Sequence, residues 1–254
     1  MEDSLLPGRL LVDAGNSRIK WRVQGEAGAT PVEVIDNGAI ERVLQRAWSE
    51  IPQPTEVWLC NSAGAERAEQ ISAVVSACWG LSIETARSET RLGGVVNGYY
   101  QPSQLGVDRW LGMVAVWQRS HSAFCLVDCG TAITIDLVNG LGEHQGGVIL
   151  PGFDSNLTAL LQRAPHLTPA APLARSSELG RSTEEGLSGY EGDGVVAVER
   201  IVKQLRQQYS IFQRVVTGGE AERLTQSASI DYWHWPDLVL DGLWALSTGS
   251  LPEL

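Results

Sequence analysis

Arg9 to Val23 reads RLLVDAGNSRIKWRV, and Phe124 to Val138 reads FCLVDCGTAITIDLV. In the first stretch Leu10, Leu11 and Val12 run into Asp13-Ala14-Gly15-Asn16, so a strand is closed by turn-forming residues. Beyond the turn Ile19, Trp21 and Val23 alternate with polar neighbours, the period of a half-buried strand. The second stretch repeats this grammar. Leu126-Val127-Asp128-x-Gly130 falls on Leu11-Val12-Asp13-x-Gly15 and Val138 on Val23, at an offset of 115 residues throughout. That offset is the size of a small domain, so the pair predicts two similar halves made by duplication. Two unrelated hairpins are the plain alternative.

Working outward, strands and helices alternate in both halves. The spacing of Ile40, Val43, Leu44 and Ala47 predicts a helix over 38–49. A short strand is expected over 56–60, a helix over 65–79, and a helix or helix pair after Pro102 through Trp110 and Val116. In the second half Gly147 to Leu150 is a strand stopped by Pro151-Gly152. Val195, Val198, Ile201, Val202 and Leu205 mark a helix over 194–209. Val215-Val216-Thr217 is a strand entering Gly218-Gly219, and 237–246 is a closing helix. Arg163 to Arg181, rich in Pro, Ala and Ser, is expected as a loop. The class is therefore α/β.

Composition narrows the function. The chain has 254 residues, 43% of them hydrophobic and 19% charged, as in a packed globular protein. Its formal net charge of -11 repels phosphate backbones and argues against nucleic acid as a main partner. No apolar run approaches the ~20 residues of a membrane span, and MEDSLLPGRL has no signal-peptide character. Cys60, Cys78, Cys125 and Cys129 form no C-x-x-C pair. Residues four apart on a strand are ~13 Å apart, so Cys125 and Cys129 cannot be bridged. All four read as reduced thiols, mostly buried, in a cytoplasmic protein.

The chemistry concentrates at the two turns. A strand–turn–strand tip presents backbone N–H groups, and glycine lets a phosphate approach them. Asn16, Ser17 and Thr131 add donors, while Asp13 and Asp128 offer carboxylates to a cation. Two such turns across a cleft could clamp a triphosphate with Mg2+; either turn alone reads equally as a structural hairpin. Thr217-Gly218-Gly219 could seat a flat adenine on bare backbone, or simply open a helix. Gly106-Val107-Asp108-Arg109, following Asn97-Gly98-Tyr99, could supply a base and an anion clamp, or a surface ion pair. His121, His144, His166 and His234 read as surface or turn residues, and the nine tryptophans as packing. Walker-type and protein-kinase signatures are absent.

Taken in order, these segments resemble the type III pantothenate kinase family. Its Asp-x-Gly-Asn-[Thr/Ser]-x-x-Lys turn is met by Asp13 to Lys20, with Ser17 in place of the commoner Thr. Its Gly-x-Asp-Arg is met by Gly106 to Arg109, and its Asp-x-Gly-Thr-Ala-x-Thr-x-Asp by Asp128 to Asp136. Gly146 to Gly152 follows its glycine and Pro-Gly segment with Val148-Ile149-Leu150 in the middle, and Thr217-Gly218-Gly219 completes the set.

The resemblance implies the acetate and sugar kinase/Hsc70/actin superfold. Two ribonuclease-H-like halves, 1–119 and 120–254, would enclose the active site in a cleft. It implies phosphorylation of pantothenate from ATP, the first step towards coenzyme A. Asp13, Gly15, Asn16, Ser17, Lys20, Thr131, Gly218 and Gly219 would hold ATP, with Mg2+ at Asp13. Asp128 would help bind a monovalent cation, K+ or NH4+. Tyr99, Gly106, Val107, Asp108, Arg109 and Thr183 would hold pantothenate, with Asp108 as the base. A homodimer is expected, on two grounds: the apolar stretch from Trp110 to Trp117 is long for one small domain to bury, and by resemblance Thr183 reaches a neighbour's site. The alternatives are a kinase for another small hydroxylated substrate, and a non-catalytic nucleotide-binding scaffold or accessory factor of the same superfold.

Overall fold

The structure, a computed structural model, describes residues 8–36, 38, 40–169, 181–188, 193–209 and 212–249. The first part of the chain forms β1 (Arg9–Ala14), β2 (Arg18–Gly25), β3 (Gly28–Ala29), β4 (Glu33–Asp36), α1 (Ile40–Ser49), β5 (Glu56–Asn61), α2 (Ala65–Trp79) and β6 (Ile83–Thr85). Next come β7 (Arg91–Leu92), β8 (Val95–Val96), α3 (Val107–Ser120), β9 (Phe124–Cys129), β10 (Ala132–Val138) and β11 (His144–Pro151). Last are α4 (Ser155–Arg163), α5 (Thr183–Ser188), α6 (Asp193–Gln208), β12 (Gln213–Thr217), α7 (Ala221–Ser227), β13 (Trp233–His234) and α8 (Leu238–Thr248). Part of the loop expected over 163–181 lies outside the described residues. No helix among the described residues is long and apolar enough to cross a membrane.

The chain divides into two compact units that are not contiguous in sequence. One takes the residues up to Ser122, the segment Gly140–His144 and everything from Asp237; the other takes Ala123–Asn139 and Gln145–Pro236. The closing helix α8 thus belongs to the first unit.

In the first unit the sheet runs β3-β2-β1-β5-β6, with β4 also on β2. β1 is antiparallel to β2 and parallel to β5. Side chains alternate across a strand, and here that sorts β1 into two cores. Leu10, Val12 and Ala14 pack with Ile40, Leu44 and Trp48 of α1 and Ile71 and Val75 of α2. Leu11 points the other way, to Leu111 of α3 and Leu240, Leu243 and Trp244 of α8. The buried pair Arg22–Asp241, 2.5 Å apart, ties β2 to α8.

α8 also corrects one ground for the expected dimer. Every residue of α3 from Arg109 to Trp117 is buried within this chain, with α8 packed along the helix. The Trp110–Trp117 stretch therefore needs no second copy to cover it.

The second unit repeats the plan. Its sheet runs β11-β10-β9-β12-β13, with β9 antiparallel to β10 and parallel to β12. Cys125, Val127 and Cys129 of β9 face Val195, Val198 and Val202 of α6 and Leu224 of α7. The repeat is genuine in topology, yet its offset is not constant. Ala14 pairs with Ile19, leaving four residues in the first turn. Cys129 pairs with Ile133, leaving three in the second. Beyond the turn the correspondence therefore slips by one: Leu10 faces Val23, whereas Cys125 faces Leu137, so Val138 is not the counterpart of Val23.

Candidate active site

Strand alternation places Asp13 on the same face as Leu11, two residues nearer the C-terminal end of β1. Leu11 packs on Leu111 of α3, and Asp108 opens that helix three residues earlier. The same geometry that packs Leu11 on Leu111 therefore brings two carboxylates from distant sequence into each other's field. Asp13 records this: its carboxyl is pushed up from 3.8 to about 7, first by burial and then by the charge of Asp108. Lys20, its partner across the β1–β2 ladder, and the Cys60 thiol, its neighbour on β5, pull the other way. Asn16 and Ser17 are exposed at the tip of the turn. The turn itself is closed by Gly15 N–H donating to Arg18 O at 3.0 Å, and the Asn16 amide donates to Ser62 O at 3.3 Å.

Asp108 sits in the first turn of α3, where the helix dipole favours a carboxylate. Its Oδ1 accepts from the Arg109 backbone N–H at 2.8 Å. Gly106 is the residue before the helix and Val107 its first, and Trp110 N–H returns to Gly106 O at 3.0 Å. Arg109 is not a surface residue: it is 6% exposed. Its guanidinium donates to the Tyr99 hydroxyl at 2.9 Å and lies 5.6 Å from the centre of that ring. Tyr99 is fixed in turn by Asn97, whose Oδ1 accepts the Tyr99 N–H at 3.0 Å. The Asn97 amide itself donates to Glu89 O and Pro102 O.

His144 was the residue that sequence reasoning missed. His121, His166 and His234 are exposed as expected, but His144 is buried and stacks on Tyr99, with ring centres 5.8 Å apart and planes at 14°. A lone histidine carried no signal beyond its place just before Gly146-Gly147.

The second unit gathers a different set. Asp128 is the β9 counterpart of Asp13, facing Thr134 on β10 and Thr217 on β12. Thr131 is exposed at the tip of the turn. Its carbonyl accepts from Gly152 N–H at 3.2 Å and from the Ser155 hydroxyl at 3.2 Å. On the other side Glu220 N–H donates to Cys129 O at 2.9 Å. Gly218 has φ +96, and a Cβ there would overlap Asp128 Oδ1 and the Cys129 carbonyl. The backbone after β12 can therefore lie on Asp128 only because residue 218 is glycine. Gly219 is exposed beside it. Arg223 of α7 closes this edge, bonded to Asp154 at 2.7 Å and Glu220 at 3.0 Å. Thr183, the first residue of α5, is exposed. It stands in the second unit, whereas Tyr99 and Asp108 stand in the first.

The residues expected from sequence thus fall into two groups. Asp13 to Lys20, Tyr99 and Gly106 to Arg109 come together in the first unit. Asp128, Thr131, Gly218 and Gly219 come together in the second.

The family model for type III pantothenate kinase matches residues 9–204. A type III pantothenate kinase of Nitrosococcus oceani is 35% identical over 243 residues, covering 92% of this chain and 91% of that protein. Another, from Azoarcus sp., is 36% identical over 258 residues, covering 96% and 92%. Among solved structures, a protein from Sinorhizobium meliloti provisionally described as a 2-dehydro-3-deoxygalactonokinase superposes with a TM-score of 0.64 at 12% identity, covering 97% and 98%. At that identity the likeness concerns the fold alone.

Proposed function

Because this chain belongs to the type III pantothenate kinase family, we propose that it phosphorylates pantothenate from ATP with Asp108 as the general base. ATP-dependent phosphorylation of pantothenate, on the way to coenzyme A, is the activity the family carries. The observation that supports the residue roles is the meeting of Asp13, Lys20 and Asp108 at one end of the first sheet.

Phosphoryl transfer asks the protein for positioning, for charge stabilisation and for an acceptor of the hydroxyl proton. Asp108 is held at the start of α3 through one carboxylate oxygen, and the other is assigned to the proton. Arg109, whose guanidinium donates to the Tyr99 hydroxyl, is assigned to the substrate carboxylate. Tyr99, Gly106 and Val107 complete the wall around that group. Gly15, Asn16, Ser17 and Lys20 present donors and a positive charge to the phosphates of ATP. Thr131, Gly218 and Gly219 of the second unit are assigned to ATP on the family's pattern.

The charge balance fits a divalent cation at the first turn. Two carboxylates in mutual repulsion, offset by one lysine, suit a hard ion that shares phosphate oxygens. Asp13 would hold Mg2+ with ATP, and when bound that ion neutralises charge on the phosphate oxygens. Asp128, with Thr134 and Thr217 as its cross-strand neighbours, is assigned to a monovalent cation, K+ or NH4+. A homodimer in which Thr183 serves the neighbour's substrate site, and a cytoplasmic location for a chain whose four cysteines are free, are proposed on the family's pattern.

The test is ADP release on adding pantothenate, measured across a sedimentation profile in K+ and then in Na+ at equal ionic strength. Turnover in K+ that falls in Na+, carried by a species of twice 27.5 kDa, is expected. Nucleotide binding without pantothenate-dependent turnover would remove the catalytic reading in favour of a scaffold. Equal rates in Na+ would remove the cation at Asp128, and activity confined to the monomer would remove the dimer.

A further inference from the structure

We propose that His144 is a positioning residue for the substrate site, holding the Tyr99 ring where it meets Arg109. This rests on the reading that Tyr99 and Arg109 hold pantothenate. The argument begins with the path of the chain. Residues 123–139 and 145–236 belong to the second unit, but Gly140–His144 belongs to the first. This short strap carries His144 to the Tyr99 loop.

The strap is seated by backbone contacts. Val96 N–H donates to Gly142 O at 2.9 Å, and Val96 forms a parallel bridge with Glu143. Gly142 has φ +79, and a Cβ there would overlap Gly94 O and sit 3.0 Å from the Trp117 indole of α3. A Cβ on Gly98 would overlap the His144 carbonyl. Both sides of the junction thus need glycine for backbone to approach backbone. The result is a buried imidazole lying flat on Tyr99.

Tyr99 needs such a support. Asn97 holds its backbone, but an aromatic ring on a half-buried loop keeps two rotatable bonds. The His144 stack and the Arg109 hydrogen bond together select one rotamer. Loss of the stack would leave Arg109 and Tyr99 to order themselves when substrate arrives, a cost that appears in substrate binding.

The experiment compares His144→Ala, His144→Phe, Tyr99→Leu and the double variant Tyr99→Leu/His144→Ala, with kcat, both KM values and Tm measured for each. His144→Ala should raise KM for pantothenate about three- to tenfold, the worth of one aromatic stack. It should leave kcat and KM for ATP within about twofold. His144→Phe, which keeps a flat ring, should restore KM. In the Tyr99→Leu background His144→Ala should add nothing. An unchanged pantothenate KM in His144→Ala overturns the proposal. So does a uniform loss of Tm, kcat and both KM values that His144→Phe fails to repair, or an additive effect in the double variant. If His144→Ala does not fold, His144→Gln, polar but without a ring, is set against His144→Phe in its place. If Tyr99→Leu itself leaves pantothenate KM unchanged, the assignment of Tyr99 to substrate fails. If Tyr99→Leu acts and His144→Ala is silent, only the role of His144 fails.

Discussion

At the first turn Asp13 faces Lys20 across the hairpin and lies beside Cys60; at the second Asp128 faces Thr134 and lies beside Thr217. The strand order is the same on either side of β1 and β9. The side chains at equivalent places differ in kind. The first turn collects ionisable groups, and the nearby Asp108 pushes the Asp13 carboxyl up further. The second collects hydroxyls and backbone, with Gly152 bonded to Thr131 and Gly218 laid on Asp128. The two sheets share a strand order, and the contrast between a charged turn and a tightly packed one lies in the residues. On this view the proton and the metal are handled at the first turn, and exact backbone fit matters most at the second.

The largest effect that separates the two should come from Asp108. Asp108→Asn keeps the shape and the bond to Arg109 N–H but cannot take a proton. Steady-state assay should show kcat lower by roughly 10²–10⁴-fold, the range for loss of an acid–base group. Thermal melting and substrate binding should change little. A fully active, normally folded Asp108→Asn protein would leave the first turn without its assigned chemistry.

Smaller, and opposite in location, is the effect of adding one methyl group. Gly218→Ala puts a Cβ into Asp128 and the Cys129 carbonyl at a φ of +96. Left-handed strain and overpacking together should cost about 2–4 kcal/mol. For a chain of this size that lowers Tm by roughly 5–15 °C. At the first turn Gly15 keeps an ordinary φ, and its Cβ would sit 3.3 Å from Arg18 O. Gly15→Ala should cost at most about 1 kcal/mol. Equal losses of Tm at the two glycines would break the contrast.

Much of this was legible in the residues, and the failures have physical causes. Both hairpins could be read because Asp-x-Gly interrupts an apolar run and the alternation resumes after it. The slip in register could not, since a turn of three or four residues ends in the same kind of strand. α8 was visible as a helix, but its apolar residues do not say which sheet they cover. Its packing on Leu11 and Leu111 assigns it to the first unit. The Trp110–Trp117 stretch seemed to need a second copy for the same reason. Within the site, Asp13, Lys20 and Asp108 announced themselves through motif chemistry. His144 did not, because its role depends on a strap whose course is set by close backbone contacts at Gly98 and Gly142.

At the first turn the Asp13 carboxyl is poised near neutrality, pushed up by burial and by the charge of Asp108. A carboxyl raised to about 7 in the folded protein and near 3.8 in the unfolded chain stabilises the folded state fully below pH 3.8. That contribution is lost as pH rises through 7. Mg2+ held at Asp13 would favour the charged form, so binding of Mg2+·ATP should expel the proton. Calorimetry of Mg2+·ATP binding at pH 7, in buffers of different ionisation enthalpy, measures that proton directly. The wild-type protein should release about half a proton more than Asp13→Asn. A release that survives undiminished in Asp13→Asn would contradict the account.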